Sequence, residues 1–523
     1  MNETRACLLD GGAEIRFPGL ESTMWEAQAV NPVVTTAHGA VRGAQTDFGV
    51  SVFKGIPYAA APFGADRFKP PRPAASWPGE RDALEFGPTA PKPGYPPPFD
   101  ELLPEVDIPG ADCLNLNIWT PAPSGSAPVL VWLHGGAFAN GSGSAPGYDG
   151  TRFARDGVVL VTINYRLGLE GFLYLGEGAA NLGLLDQLAA LAWVRENIAG
   201  FGGDPARVTV AGQSAGAMSI GALLAMPASA GLFHQAILQS GAAHHTLPAE
   251  TAAMVSRHTA EKLGIEPRPE LFAKAAIEEL LSAFQAVRAD VLHNPDPAAW
   301  REVAVNSMPY EPVVDGVTLP DDPARSAAGA SAGIRLLIGS NTDEQRFFTV
   351  PTGVAELADE AALRRSAARY GLDPDSAPDV YRSGRPDSGP GYLMAALVTD
   401  WFYRIPAIRL AEARAALGAA PSHLYEFAWQ PSSFGGRIGA CHAAEVPFVF
   451  DNLARGSLSK LLGDMPQRVA DTMHGAWVSF VAQGDPGWPA YDPKQRTTMR
   501  FDLESGAVAD PRPAERELWS GVR

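Results

Sequence analysis

One serine of the chain stands in a pattern that suits nucleophilic catalysis. Ser214 is the central residue of segment 212–216, which reads GQSAG, follows the apolar run 207–211 and precedes a helix-like stretch at 217–224. A serine on a tight turn between a strand and a helix exposes its hydroxyl at the end of the strand, and the flanking glycines leave room for the crossing backbone. The helix N-terminus behind it favours developing negative charge. A chance match in a glycine-rich chain is the alternative, and the placement between strand and helix disfavours it.

A second segment predicts backbone donors for an oxyanion. Residues 134–138 read HGGAF and come directly after the strand-like run 129–133. Acyl transfer at a serine needs N–H groups aimed at the tetrahedral oxygen; the residue after the nucleophile, here Ala215, supplies one and a small-residue turn supplies others. A tight turn with a structural histidine is the alternative. Its position about eighty residues before the serine motif favours the catalytic interpretation.

A nucleophilic serine also needs a histidine base further along the chain. His423 lies in a strand-like run and His474 in a helix-like stretch between large apolar residues, so packing explains both. His442 ends the glycine-rich loop 435–442, which can carry an imidazole to the serine. The spacing therefore predicts His442 as the base.

The carboxylate that orients this base is expected in loop 339–345, which follows a strand ending at Ile338. Asp343 and Glu344 are adjacent there, and the residues themselves do not decide between them. Asp343 could instead hydrogen-bond its own turn, as aspartates at the start of loops often do.

The elements that must position these residues alternate between strand and helix. Short, continuous apolar runs are typical of strands buried on both faces of a parallel sheet, and residues 181–197 have apolar side chains near helical spacing. Strands alternating with helices predict a mostly parallel α/β sheet. The predicted strands are 129–133, 158–163, 208–211, 236–239 and 334–338.

Composition excludes several classes of protein. The 523 residues carry a net charge of −17. The chain therefore lacks the excess of basic residues that nucleic-acid binding requires. Three cysteines, Cys7, Cys113 and Cys441, cannot make a disulfide framework or a zinc ribbon. We find no signal peptide and no run long enough to span a bilayer, so the expectation is a cytoplasmic protein without a membrane anchor. Met24 is an alternative start.

These motifs, and others along the chain, resemble the type-B carboxylesterases of the α/β-hydrolase fold, the group that includes bacterial para-nitrobenzyl esterases and cholinesterases. The resemblance runs from about Pro32 to about Tyr491. Its further markers are FKGIPYA at 53–59, RFKPP at 67–71, DCLNLNIW at 112–119, NYR at 164–166, FGGDP at 201–205, QSG at 239–241, PVVDG at 312–316, HAAE at 442–445, FVF at 448–450 and GDPGWP at 484–489.

The resemblance implies roles for individual residues. Glu344 would be the third member of a triad with Ser214 and His442. The oxyanion donors would be the N–H groups of Gly136, Ala137 and Ala215. Gly135 would shape the turn, and Ser240 and Gln213 would support the site from behind.

Four departures from the family pattern matter. Ala137 stands where many relatives have a third glycine, and its methyl group narrows the approach slightly. Gln213 replaces a glutamate, which weakens any case for a choline substrate. Gln345 replaces a glycine after Glu344, which leaves the local turn in question. Cys113 matches a position that is disulfide-bonded in secreted animal relatives, but the usual partner is absent.

The predicted function is a serine carboxylesterase that hydrolyses small-molecule esters through an acyl-enzyme intermediate, as a monomer or small homo-oligomer, without metal or cofactor and without nucleic-acid or membrane partners. A carbamate, amide or other specialised hydrolase with the same triad is the alternative; a non-catalytic binding protein is a remote alternative.

The predicted organisation is an extension at 1–31 and one α/β-hydrolase domain at 32–523. Insertions are expected near 87–110, 248–304 and 354–417. Six aromatic residues could line an apolar pocket, although core packing is the better expectation for each: Phe138, Phe347, Phe348, Trp401, Phe402 and Phe448.

Overall fold

The computed structural model describes residues 31–103, 105–456 and 458–522. Cys7, Met24 and all but the last residue of the predicted extension at 1–31 lie outside the described residues.

A large mixed sheet is the centre of the fold. Within the described residues it has eleven strands. Seven neighbouring strands run parallel, and antiparallel strands close both edges. The mostly parallel sheet predicted from the apolar runs is therefore confirmed.

The strands, in chain order, are β1 (Val33–Thr36), β2 (Gly39–Arg42), β3 (Ala44–Gln45), β4 (Ser51–Pro57), β5 (Glu80–Asp82), β6 (Asn115–Thr120), β7 (Ala127–Leu133), β8 (Val159–Ile163), β9 (Gly203–Gln213), β10 (Gln235–Gln239), β11 (Leu247–Pro248), β12 (Val313–Val314), β13 (Arg335–Asn341), β14 (Ser422–Phe427), β15 (Thr497–Phe501) and β16 (Gly506–Ala509). The large sheet has the order β16-β15-β14-β13-β10-β9-β7-β8-β6-β4-β3, and the seven strands between β16 and β6 in this order are the parallel ones. Strands β1, β2 and β5 form a small separate sheet, and β11 pairs with β12.

Alternate side chains of a central strand enter two different apolar layers. Val129, Val131 and Leu133 of β7 belong to the cluster on one face of the sheet, whereas Leu130 and Trp132 belong to the cluster on the other face. Because both faces are covered, the strand has no polar side, which is why it reads as a continuous apolar run.

Helices cover both faces. The first ten are α1 (Phe99–Leu102), α2 (Thr151–Arg155), α3 (Gly168–Phe172), α4 (Leu182–Asn197), α5 (Ala215–Leu223), α6 (Ala249–Leu263), α7 (Pro269–Phe272), α8 (Ile277–His293), α9 (Pro297–Trp300) and α10 (Val303–Asn306). The others are α11 (Pro323–Ala330), α12 (Arg346–Thr349), α13 (Val354–Leu357), α14 (Glu360–Arg369), α15 (Ala377–Ser383), α16 (Pro390–Thr399), α17 (Ile405–Ala416), α18 (Val446–Val449), α19 (Leu458–Leu462), α20 (Gln467–Gln483) and α21 (Pro513–Leu518).

The three predicted insertions differ in character. Helices α6–α10 occupy 248–304 almost completely, and α13–α17 occupy 354–417. A five-residue π-helical turn, Asp400–Arg404, joins α16 to α17. The proline-rich segment 87–110 is loop apart from α1 in its described part. No helix among the described residues is long and apolar enough to cross a membrane.

Candidate active site

Ser214 lies on a sharp turn between β9 and α5. Its backbone has φ 56° and ψ −125°, a conformation that a non-glycine residue rarely adopts. A Cβ on Gly216 would lie 2.0 Å from the carbonyl oxygen of Leu133, and one on Gly212 would lie 2.7 Å from the carbonyl carbon of Gly216. Both flanking positions therefore need glycine, as the motif predicts. The turn leaves Ser214 half-buried at the carboxyl end of the strand.

The small-residue turn after β7 lies directly against the serine. A Cβ on Gly135 would come within 3.1 Å of the Ser214 Cβ, and one on Gly136 within 2.1 Å of the Asn140 carbonyl oxygen. Gly136 has φ 123° and Ala137 has φ 53°. In the described chain no backbone carbonyl accepts a hydrogen bond from the N–H of Gly136 or Ala137, so both groups are available to a ligand.

Ala215 supplies a third N–H group. It is the first residue of α5 and is fully buried. The first N–H groups of a helix have no partner within the helix. The sequence-predicted donors Gly136, Ala137 and Ala215 are thus all brought to the neighbourhood of Ser214.

A carboxylate from the proline-rich loop fixes the end of this turn. Both oxygens of Glu105 accept from the backbone N–H of Gly141, at 3.0 and 3.3 Å. A Cβ on Gly141 would lie only 2.4 Å from the Gly135 carbonyl oxygen, so Gly141 packs against the turn itself. The ammonium of Lys92, whose side chain is buried, lies 3.8 Å from Glu105. Burial raises the pKa of Glu105, and Lys92 opposes that rise.

His134 has a structural role in this turn. Its ring stacks on Tyr165 with centroids 4.4 Å apart, and the Tyr165 hydroxyl donates to its backbone carbonyl at 2.7 Å. Burial lowers the pKa of His134 to about 4. The imidazole is therefore neutral and serves to hold the turn.

His442 meets a buried carboxylate. Its Nδ1 lies 2.6 Å from Oε2 of Glu344, which is fully buried. The other oxygen of Glu344 accepts from the backbone N–H of Asn341 at 2.7 Å. Since the carboxylate can only accept, it fixes the proton of the neutral imidazole on Nδ1 and leaves Nε2 as an acceptor.

Asp343 has partners other than His442. It pairs with Arg346 at 3.0 Å and accepts from the backbone N–H of Ala440 at 3.2 Å. Its side chain ties the loop after β13 to the loop that carries His442. The geometry thus separates two acids that the residues alone left as equal candidates.

Three side chains surround the remaining parts of the imidazole. The Nε2 of Gln213 lies 3.2 Å from the Nε2 of His442. Tyr403, from the π-helical turn, places its ring centroid 5.0 Å from that of His442, and Phe348 places its own at 5.5 Å. Tyr403 is buried, whereas Phe348 is 36% exposed. Phe348 is therefore the more exposed of the two rings beside the base.

A second buried carboxyl group lies behind the first. Glu445 accepts from the side-chain amides of Gln239 at 3.1 Å and Asn341 at 2.6 Å. Burial and the nearby negative charge of Glu344 raise the pKa of Glu445 to about 7. Asn341 links the two acids, because its backbone binds one and its side chain binds the other.

Ser240 directly follows the neighbouring strand β10. It is fully buried, has φ 54°, and its backbone N–H donates to the Gly339 carbonyl at 2.9 Å. Its hydroxyl has no hydrogen-bond partner among the described residues. The support that the resemblance implies for this residue therefore comes through its backbone position.

The other downstream histidines are engaged elsewhere. His423 Nδ1 lies 3.0 Å from the Trp488 carbonyl, and His474 bonds the Val449 carbonyl and Asp156. Their assignment to packing agrees with the structure. No group of three or more His, Cys, Asp or Glu side chains in the described part is placed to hold a metal ion.

Sequence reasoning missed three residues of the site. Glu105 lies in a loop without periodicity, and Tyr403 lies among apolar residues of a helical region. Glu445 belongs to the HAAE marker at 442–445, which was the one available signal, but the sequence pattern assigns no role to it.

The six aromatic residues considered for a pocket divide into two groups. Four are buried, as expected of core residues: Phe138, Phe347, Trp401 and Phe448. The other two, Phe348 and Phe402, are not fully buried.

Comparison with known proteins identifies the family of the chain. The family model described as the Carboxylesterase family matches residues 30–519. The chain belongs to the carboxylesterase family. Para-nitrobenzyl esterase of Bacillus subtilis (strain 168) is 39% identical over 506 residues, covering 93% of this chain and 98% of that protein. Phenmedipham hydrolase of Pseudarthrobacter oxydans is 36% identical, covering 91% and 96%.

A solved structure shows the same fold. The crystal structure of a carboxylesterase from Geobacillus stearothermophilus superposes with a TM-score of 0.81 at 39% identity, covering 93% of this chain and 99% of that one. The sheet and its helices are therefore the α/β-hydrolase fold, and the predicted resemblance is confirmed. The chain is a carboxylic ester hydrolase.

Proposed function

We propose that Ser214, His442 and Glu344 form the catalytic triad of this esterase and that the N–H groups of Gly136, Ala137 and Ala215 bind the oxyanion. The observation that carries the proposal is the 2.6 Å contact between His442 and the buried Glu344, at a site where Gln213 brings the strained serine turn against the same imidazole. A histidine oriented in this way is the base that a serine nucleophile needs.

In the acylation step, Ser214 Oγ attacks the ester carbonyl carbon while its proton passes to His442 Nε2. Glu344 stabilises the imidazolium that forms. The negative charge that develops on the carbonyl oxygen lies beside the unpaired N–H groups of Gly136 and Ala137. These belong to the turn 134–138 after β7, which we call the oxyanion turn. The bond to the alcohol oxygen then breaks, and that oxygen takes the proton from His442. The alcohol leaves, and the acyl group stays on Ser214.

Deacylation repeats the sequence with water. His442 removes a proton from the water as its oxygen attacks the acyl carbon, and returns the proton to Ser214 Oγ when that bond breaks. The carboxylic acid is released and the free serine is restored. All the groups needed are supplied by the chain and the solvent.

The test is hydrolysis of p-nitrophenyl acetate by the full chain and by its Ser214→Ala variant. We expect the wild type to release p-nitrophenol and the variant to lose at least about 1,000-fold in kcat, because the residual rate then depends on binding and the oxyanion turn alone. Full activity in the variant would place the nucleophile elsewhere.

The preferred substrates in this proposal carry an apolar or aromatic group. Phe348 is exposed beside His442 and is backed by Phe99 of the proline-rich loop, with ring centroids 6.2 Å apart. Apolar surface of a bound ester that is buried against these rings stabilises the complex by about 25 cal/mol per Å². A series of p-nitrophenyl esters of increasing chain length measures this: kcat/KM should rise from acetate to longer acyl groups or to benzoate.

Hydrolysis of a carbamate, an amide or another specialised compound is the second candidate. It needs the same residues and a different leaving group, and the relative named phenmedipham hydrolase favours such specialisation within the family. Comparing kcat/KM for an aryl acetate and an aryl carbamate of the same alcohol separates the two candidates.

We also propose a cytoplasmic enzyme that is a monomer or small homo-oligomer, with one domain from residue 32 to 523. Cys113 and Cys441 are free and buried, which supports a reducing compartment. Light scattering after size-exclusion chromatography measures the oligomeric state.

A further inference from the structure

Gln213 occupies a place from which it can act on the chemistry of the base. It is the last residue of β9, immediately before Ser214, and only 4% of it is exposed. Its side-chain nitrogen lies 3.2 Å from Nε2 of His442, the atom that must accept the serine proton. Among the described residues, this amide is the hydrogen-bond partner of Nε2.

The proton positions follow from the partners of the ring. Glu344 can only accept, so the neutral imidazole carries its proton on Nδ1, and Nε2 has a lone pair. An amide N–H donates to that lone pair. A hydrogen bond to the neutral form of a titrating group favours that form. The contact therefore stabilises the unprotonated imidazole, which is the state that can act as a base.

The amide oxygen is directed away from the base. A Cβ on Gly135 would lie 2.8 Å from Oε1 of Gln213, so this oxygen packs on the glycine of the oxyanion turn. The absence of a side chain at Gly135 makes the space for it. The orientation with the nitrogen toward His442 follows from the tautomer, because the lone pair of Nε2 can only accept and the amide end that faces it must donate.

A carboxylate at the same place would have the opposite effect. It has nearly the size of the amide but would put a negative charge about 3 Å from Nε2, so that the imidazole would lie between two carboxylates. An opposite charge at this range favours the charged form by roughly 1–3 pH units. An imidazolium cannot accept the serine proton, so activity would be lost at a higher pH.

The remaining charged or titratable groups near His442 come from several elements. Glu344 contacts it, and Asp343 beside Glu344 is neutralised by Arg346. The buried Glu445 is three residues along the same loop, Cys441 precedes the histidine, and Tyr403 packs on the ring. These groups are the same in any variant at position 213, so a change in the pH profile of such a variant is due to the side chain at that position.

We propose that Gln213 is a positioning residue that acts through His442: its amide holds the base neutral and so extends ester hydrolysis to lower pH than a carboxylate at this position would allow. The proposal rests on the proposed function, since it takes His442 to be the base.

The test compares the Gln213→Glu variant with the wild type on a neutral p-nitrophenyl ester, with kcat/KM measured across the pH range in which the enzyme is folded. We expect the midpoint of the acidic limb to rise by about 1 pH unit or more, with the plateau at high pH reduced less. The matched control is Gln45→Glu, the same change at an exposed residue of edge strand β3. Its profile should coincide with that of the wild type.

A midpoint in Gln213→Glu within about 0.3 pH units of the wild type would overturn the proposal. If melting shows that this variant is unfolded, Gln213→Met serves instead. Methionine has a similar size but no donor, so the midpoint should rise by less than about 1 pH unit, and an unchanged or lowered midpoint overturns the proposal. A wild type that neither hydrolyses esters nor reacts with a fluorophosphonate would instead remove the proposed function on which this inference depends.

Discussion

The two adjacent acids after β13 allow a paired test of the triad. Glu344→Gln keeps the size of a fully buried side chain but replaces the acceptor at 2.6 Å from His442 Nδ1 by an amide that can donate. An amide N–H at Nδ1 would favour the tautomer with the proton on Nε2, which cannot accept a proton from Ser214. Loss of the correct tautomer costs about 10⁴-fold in kcat where a triad acid has been replaced by its amide, or about 5 kcal/mol of transition-state stabilisation.

Asp343→Asn is the matched control for this change. It removes the same charge from the neighbouring residue, whose partners are Arg346 and the Ala440 N–H. We expect a loss of about 1–2 kcal/mol in the free energy of unfolding, since the pair is mostly buried but part of its hydrogen bonding survives. We expect kcat to stay within about tenfold of the wild type. Steady-state kinetics on p-nitrophenyl acetate and urea denaturation measure both. The assignment is refuted if Asp343→Asn loses more activity than Glu344→Gln.

Three further predictions concern the surroundings of the triad. Gly136→Ala, whose Cβ would meet a carbonyl oxygen at 2.1 Å, should lower kcat by about 100-fold or more, whereas Gly475→Ala, with open space around it in α20, should leave kcat unchanged; both are read from steady-state kinetics. Glu105→Ala releases the Gly141 N–H and leaves its lysine partner buried, so denaturation should show a loss of about 3 kcal/mol together with a lower kcat; unaltered kcat would argue against a role in the oxyanion turn. The pKa of Glu445 is raised to about 7, above its unfolded value, so the folded state binds the extra proton. The contribution of Glu445 to the free energy of unfolding should therefore be fully present below about pH 4.5 and decrease by about 3 kcal/mol as the pH rises past 7, a slope that Glu445→Gln should flatten.

Much of the fold could be predicted because a strand that is buried on both faces of the sheet appears in the sequence as a continuous apolar run. The run 129–133 is apolar throughout because the side chains of β7 pack alternately in the two apolar clusters on either face of the sheet. The turn at Ser214 was equally predictable, since the glycines at 212 and 216 are required by backbone contacts of 2.7 and 2.0 Å. Both signals are local: they depend on neighbours in the chain or on one crossing strand.

The remainder depends on contacts between distant segments. Glu344 and Asp343 are adjacent, and only the path of the loop that carries His442 decides which of them meets the imidazole. Glu105 reaches the oxyanion turn from a loop with no periodic pattern. Tyr403 contacts His442 from the π-helical turn between α16 and α17, which the sequence pattern does not indicate. Spacing alone contains none of this information.

The most direct test of the central claim is to locate the nucleophile. The full chain is incubated with a fluorophosphonate, digested, and its peptides are analysed by mass spectrometry while p-nitrophenyl acetate hydrolysis is followed in parallel. We predict a single adduct on Ser214 that forms in step with the loss of activity. An adduct on another residue, or undiminished hydrolysis once Ser214 is fully labelled, would contradict the assignment of Ser214 as the nucleophile.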